Sequence, residues 1–82
     1  MKIEQFNKLS LLERIKLVKE NGTYIGAREN MSHFIYLFTL NSIYVEVFIL
    51  KNLNQIQWIE LQHNKSIIAE YVSKVNINNL FE

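Results

Sequence analysis

Arg28, Glu29, His33 and Glu46 are the residues of this chain best suited by type and spacing to acid–base chemistry. The first three flank one predicted turn, and Glu46 projects from a neighbouring predicted strand. A general acid and a general base can in principle be assembled there, with Arg28, His33 and Glu46 as the candidate polar site. The competing reading is structural: Arg28 pairs with a sheet carboxylate or rims an interface, and such ion pairs outnumber catalytic ones. No nucleophile elbow, catalytic cysteine or acidic dyad accompanies these residues. The expectation is therefore a protein that is not an enzyme, and a small-molecule binder or enzyme around Arg28 and Glu46 is the alternative.

Other chemistries find less to work with. His33 and His63 are the only histidines and the chain has no cysteine, so a thiolate site is impossible and no HxxxH-like spacing predicts a metal. The only glycines, Gly22 and Gly26, exclude a GxGxxG or P-loop phosphate cradle. No cofactor is expected. Nine Lys and Arg against eight Glu leave a net charge of +1, which supplies no general attraction to nucleic acid. Lys8, Arg14, Lys16 and Lys19 alternate with Glu13 and Glu20, the pattern of a solvated helix face. Tyr36, Phe38, Tyr44 and Phe48 would suit a base-stacking platform, but no basic residues stand between them. Nucleic acid is not favoured as a partner.

The elements that must position these side chains fit one domain over residues 1–82, of which 49% are hydrophobic and 21% charged. The N-terminus lacks the apolar core of a signal peptide, and no run of about 18 apolar residues offers a membrane span. A cytoplasmic protein with no membrane association is expected. Ser10-Leu11-Leu12-Glu13 reads as a capping box that starts a helix at Leu11, with Leu11, Ile15 and Val18 inward. Asn21-Gly22 is its stop, with Gly22 expected to take the left-handed conformation. Ile3, Phe6 and Leu9 predict a short extra helical turn on the same core.

From Thr23 the period changes to that of strands: Thr23 to Arg28, Ser32 to Leu40, Ile43 to Leu50 and Gln55 to Gln62, the last with an expected bulge. A two-residue turn at Asn41-Ser42 pairs Leu40 with Ile43, Phe38 with Val45, Tyr36 with Val47 and Phe34 with Ile49 on one face. The opposite face pairs Thr39 with Tyr44, Leu37 with Glu46, Ile35 with Phe48 and His33 with Leu50. Ile67, Ile68, Tyr71, Val72 and Val75 form the stripe of a closing helix, and Ile77, Leu80 and Phe81 are expected to tuck against it.

The expected fold is α+β: an N-terminal helix, a four-stranded antiparallel meander and a C-terminal helix, with both helices on one face of the sheet. That placement leaves Tyr24, Ile35, Leu37, Tyr44, Glu46 and Phe48 open as a candidate interface. A helix crossing to that side within the monomer is the alternative. The partner expected is a protein, either a second copy in a homodimer or another protein to which this one is an adaptor.

Ser10-Leu11, Asn21-Gly22-Thr23, Gly26, Arg28, Ile35-Tyr36-Leu37, Leu40 and Tyr44-Val45-Glu46-Val47 together resemble the pattern of small bacterial proteins of the Bacteroidetes type whose function is unknown. The resemblance covers most of residues 9–75 and implies a helix, a glycine-containing strand ending at arginine, an aromatic hairpin and a closing helix. It implies a bacterial origin and carries over no activity. Phe38 and Phe48 stand where that pattern has tyrosine-like positions. A phage or mobile-element regulator or an immunity-type protein is a further alternative, resting on size and composition.

Overall fold

The computed structural model describes the backbone of residues 2–80 and the side chains of residues 2–72. Two helices, α1 (Ile3–Asn7) and α2 (Leu11–Asn21), precede four strands, β1 (Thr23–Glu29), β2 (His33–Leu40), β3 (Ile43–Leu50) and β4 (Gln55–Leu61), and α3 (Lys65–Leu80) closes the chain. The strands form an antiparallel meander in the order β1-β2-β3-β4. This is the α+β architecture read from the sequence.

Local chemistry sets the boundaries. Ser10 caps α2, its Oγ accepting from the Glu13 amide at 3.2 Å while Glu13 Oε1 accepts from the Ser10 amide at 2.9 Å. The β2–β3 register matches the expected one at all eight pairs, from His33 with Leu50 to Leu40 with Ile43. Asn41 takes the positive φ of 56° that closes this hairpin. In β4 a bulge at Gln57 opposes Trp58 to Phe48 and Ile56 to Ile49. Ile56 and Ile59 thereby share one face despite their odd spacing. Asn64 opens α3, its Oδ1 accepting from the amides of Ser66 at 2.9 Å and Ile67 at 3.4 Å.

The end of α2 differs from expectation. Gly22 has φ −77° and ψ 143°, ordinary extended backbone. Glycine is needed there for close approach instead: a Cβ would lie 2.6 Å from the carbonyl oxygen of Val18.

The main core lies between α1, α2 and one sheet face, built on Phe6, Val18, Leu40, Val45, Val47 and Ile59. The expectation that both helices share this face is corrected by α3, which packs on the other. Tyr71 of α3 is buried against Gly26 and Glu46, and Glu46 has the opposite parity to Val45 and Val47. The reason is visible in the covering layers. The first face already carries two helices, while Ile35 and Leu37 on the second would otherwise expose a large apolar area, worth about 1.5–3 kcal/mol per large side chain when buried. Ile67 and Ile68 are half-buried with Tyr71, and Val72 is exposed. The expected packing of Val75, Ile77, Leu80 and Phe81 lies outside the described residues. Among the described residues, no helix is long and apolar enough to cross a membrane.

Candidate functional site

Arg28 and Glu46 do meet. Arg28 is the sixth residue of β1, directly across from Ile35 of β2, and Glu46 lies one strand further, across from Leu37. Their side chains bridge β2, with Arg28 Nη2 donating to Glu46 Oε2 at 3.0 Å. The Tyr71 hydroxyl donates to the same oxygen, and Arg28 Nε donates to that hydroxyl at 2.9 Å. Glu46 Oε1 accepts from Gln62 Nε2 at 2.7 Å. Glu46 is 2% exposed, and this buried carboxylate accepts three hydrogen bonds, from β1, α3 and Gln62 just beyond β4. Burial, reinforced by the bond to Glu46, pushes the Tyr71 phenol above its ordinary range.

This geometry is that of a structural latch between β1, β3 and α3. Three fixed donors, two on Oε2 and one on Oε1, take three of the carboxylate's roughly four acceptor positions. The shallow cleft beside Arg28 is lined by Ala27, Glu29 and Phe34, without Glu46. His33 does not join the pair. Its Nδ1 lies 2.9 Å from Ser32 Oγ, its Nε2 bonds Gln57 of β4, and its ring meets Phe48 edge-on at 6.1 Å. Glu29 reaches Lys51 Nζ at 2.6 Å at the surface. Among the described residues, no three His, Cys, Asp or Glu side chains are grouped to hold a metal ion.

The candidate interface is largely closed. Ile35, Leu37 and Glu46 are buried on the α3 side of the sheet, and Tyr44 and Phe48 are half-buried. Tyr24 belongs to the other face. A bulge at Ile25 opposes Tyr24 to Phe38 and Gly26 to Leu37, so two residues of equal parity in β1 point to opposite sides. The Tyr24 ring accordingly packs near Tyr36 at 6.2 Å and edge-on to Phe38 at 5.8 Å.

The open apolar surface is therefore on the face assigned to the core. Phe34, Tyr36 and Phe38 of β2 share it with Tyr24. Tyr24 is 56% exposed and Phe34 38%, while Tyr36 and Phe38 are half-buried. The strip runs into an apolar groove of about 170 Å³ between Ile15, Val18 and Lys19 of α2 and Tyr36, Phe38 and Ile49 of the sheet. Its outer border is β1, whose far edge pairs with no other strand among the described residues.

Arg14 is the functional-looking residue that the charge pattern hid. Read as part of a solvated face, it is 4% exposed. Its guanidinium donates to the carbonyl oxygens of Leu9 at 3.1 Å, Ile59 at 2.7 Å and Asn7 at 3.3 Å. The Phe6 and Trp58 rings flank it, with centroids at 4.6 and 4.4 Å. The sequence signal that could have found it is its i, i+4 spacing from Ser10 and Val18, which places it on the inward stripe. Its role is to pin helices to sheet.

No protein-family model matches the chain, and no curated protein or solved structure is significantly similar to it.

Proposed function

We propose that this protein acts by binding in the cytoplasm, and that its partner is a second copy of itself. The observation that carries this reading is the aromatic strip of Tyr24, Phe34, Tyr36 and Phe38, exposed at Tyr24 and Phe34, beside the edge of β1 that pairs with no strand among the described residues. Exposed apolar surface concentrated in one place marks an interaction site, and an unpaired edge strand offers a row of backbone donors and acceptors. A two-fold axis perpendicular to the sheet at that edge would pair β1 with its copy antiparallel. It would keep the same sheet face uppermost in both protomers, joining the two strips into one. The closed latch of Arg28, Glu46 and Tyr71 gives an acid–base role less support than this association.

Multi-angle light scattering across a concentration series tests the reading. The unmodified chain should approach the mass of a dimer, and Tyr24→Glu and Phe34→Glu should return it to a monomer with unchanged circular dichroism. A monomer at every concentration would overturn it.

A further inference from the structure

We propose that the cleft at the end of the sheet, beside the β2–β3 turn, binds a small organic acid: a carboxylate carried on an apolar body. The cleft has a volume of about 200 Å³. Ile3 of α1, Ile43 and Leu61 of the sheet and Ile68 of α3 give it apolar walls, and Ser42, Tyr44, His63 and Lys65 bring polar groups to it. Its origin lies in the layering. With α1 and α2 on one face of the sheet and α3 on the other, the two helical layers part at the sheet end. Side chains of both faces, Ile43 and Leu61 on one and Tyr44 on the other, therefore line the same space. An apolar cavity of about 150 Å³ admits benzene, so this cleft suits one ring or a short chain.

The polar groups set the sign of the ligand. Ser42, Tyr44, His63 and Lys65 can each donate a hydrogen bond, and none of these side chains has a hydrogen-bond or ion-pair partner among the described residues. Tyr44 is half-buried, and the other three are exposed at the mouth. Gln62 is committed elsewhere, its Nε2 donating to Glu46 and its Oε1 accepting from the Asn64 amide. No carboxylate is among the lining residues, so the charge at the rim is the positive one of Lys65. A negatively charged acceptor suits all four donors; a cation is repelled, and a neutral head forgoes the charge-assisted bond. The apolar walls then bury the body of the acid. The cleft shares no residue with the aromatic strip, so the site is independent of whether that strip pairs two copies.

Phenylacetate is a suitable probe, with phenethyl alcohol as its uncharged counterpart and acetate as the head group alone. Titrated into the isotopically labelled full chain and followed by amide chemical shifts, phenylacetate should saturate below about 10 mM, as befits so small a ligand. The shifts should centre on residues 42–44 and 61–65. Phenethyl alcohol and acetate should each bind at least about tenfold more weakly, the one lacking the charge and the other the apolar body. Lys65→Met, a change at an exposed position outside the core, should weaken phenylacetate by about tenfold. No saturation by phenylacetate, equal affinity for phenethyl alcohol, unchanged affinity in Lys65→Met, or shifts centred on the groove beside α2 would each overturn the proposal.

Discussion

Arg14 Nη1 donates to the carbonyl oxygen of Ile59 at 2.7 Å, tying the start of α2 to the backbone of the edge strand β4. The two residues are 45 positions apart, and the same guanidinium holds the carbonyls of Asn7 at the end of α1 and of Leu9 just after it. A buried cation is thus satisfied by carbonyl dipoles and ring faces, with no carboxylate partner among its described bonds.

Arg14→Met should destabilise the protein by roughly 3 kcal/mol, because each buried carbonyl left without a donor costs about 1–3 kcal/mol and part of that is recovered by water. Arg14→Lys should recover less than half, since an ammonium cannot reproduce the planar fork. Urea unfolding followed by circular dichroism measures both. Equal stability of the Lys variant and the native chain would remove the clamp.

The two glycines should respond oppositely to alanine. A Cβ at Gly22 meets the Val18 backbone carbonyl at 2.6 Å, and Gly22→Ala should cost about 1–3 kcal/mol as the end of α2 shifts. A Cβ at Gly26 meets Tyr71 at 3.4 Å, ordinary contact, and neither glycine has positive φ. Gly26→Ala should be neutral or stabilising by up to about 1 kcal/mol, through the restricted unfolded chain. Melting temperatures of the pair decide it.

Acid should weaken the start of α2. The bonds from the Ser10 backbone and hydroxyl hold the Glu13 carboxyl below its ordinary value. A carboxyl depressed in the folded state contributes stability above its unfolded pKa, and that contribution disappears as pH falls through the folded value. Stability should therefore fall on going from neutral to acid pH, and Glu13→Gln, which keeps an acceptor without the charge, should flatten that part of the profile. An unchanged slope in the Gln variant would assign the acid sensitivity elsewhere.

Phe48→Asp should destabilise the fold rather than dissociate a dimer. Phe48 is half-buried beside His33 and on the α3 side of the sheet, where an uncompensated carboxylate is costly. Loss of about 2 kcal/mol or more in urea unfolding is expected, scaled to the partial burial of the ring. A folded Phe48→Asp variant of native stability would show that this side of the sheet is open after all.

What could be read from the residues was mostly local. The capping box at Ser10 and Glu13 and the turn at Asn41 rest on contacts within a few positions, and the turn then dictates eight cross-strand pairs. Arg28 and Glu46 were legible as a possible pair because Arg28 flanks the turn before the hairpin and Glu46 projects from the hairpin's mixed face. The side taken by α3 was not, since either apolar face could accept the stripe of Ile67, Ile68 and Tyr71, and the choice depends on which one α1 and α2 already fill. Arg14 was hidden because its partners are carbonyls, which carry no residue identity. Tyr24 was assigned to the wrong face because strict alternation has no means of announcing an extra residue in a strand.

That extra residue, Ile25, works as a switch in the reading frame of the surface. Every β1 position before it is addressed to the aromatic strip's side by one rule of alternation, and every position after it by the opposite rule. Removing one codon there would leave Tyr24 opposite Phe38 and Gly26 opposite Leu37, so both faces would keep their side chains and only the bulge would go. A chain shortened by that one residue should therefore present the same aromatic surface on a straighter β1.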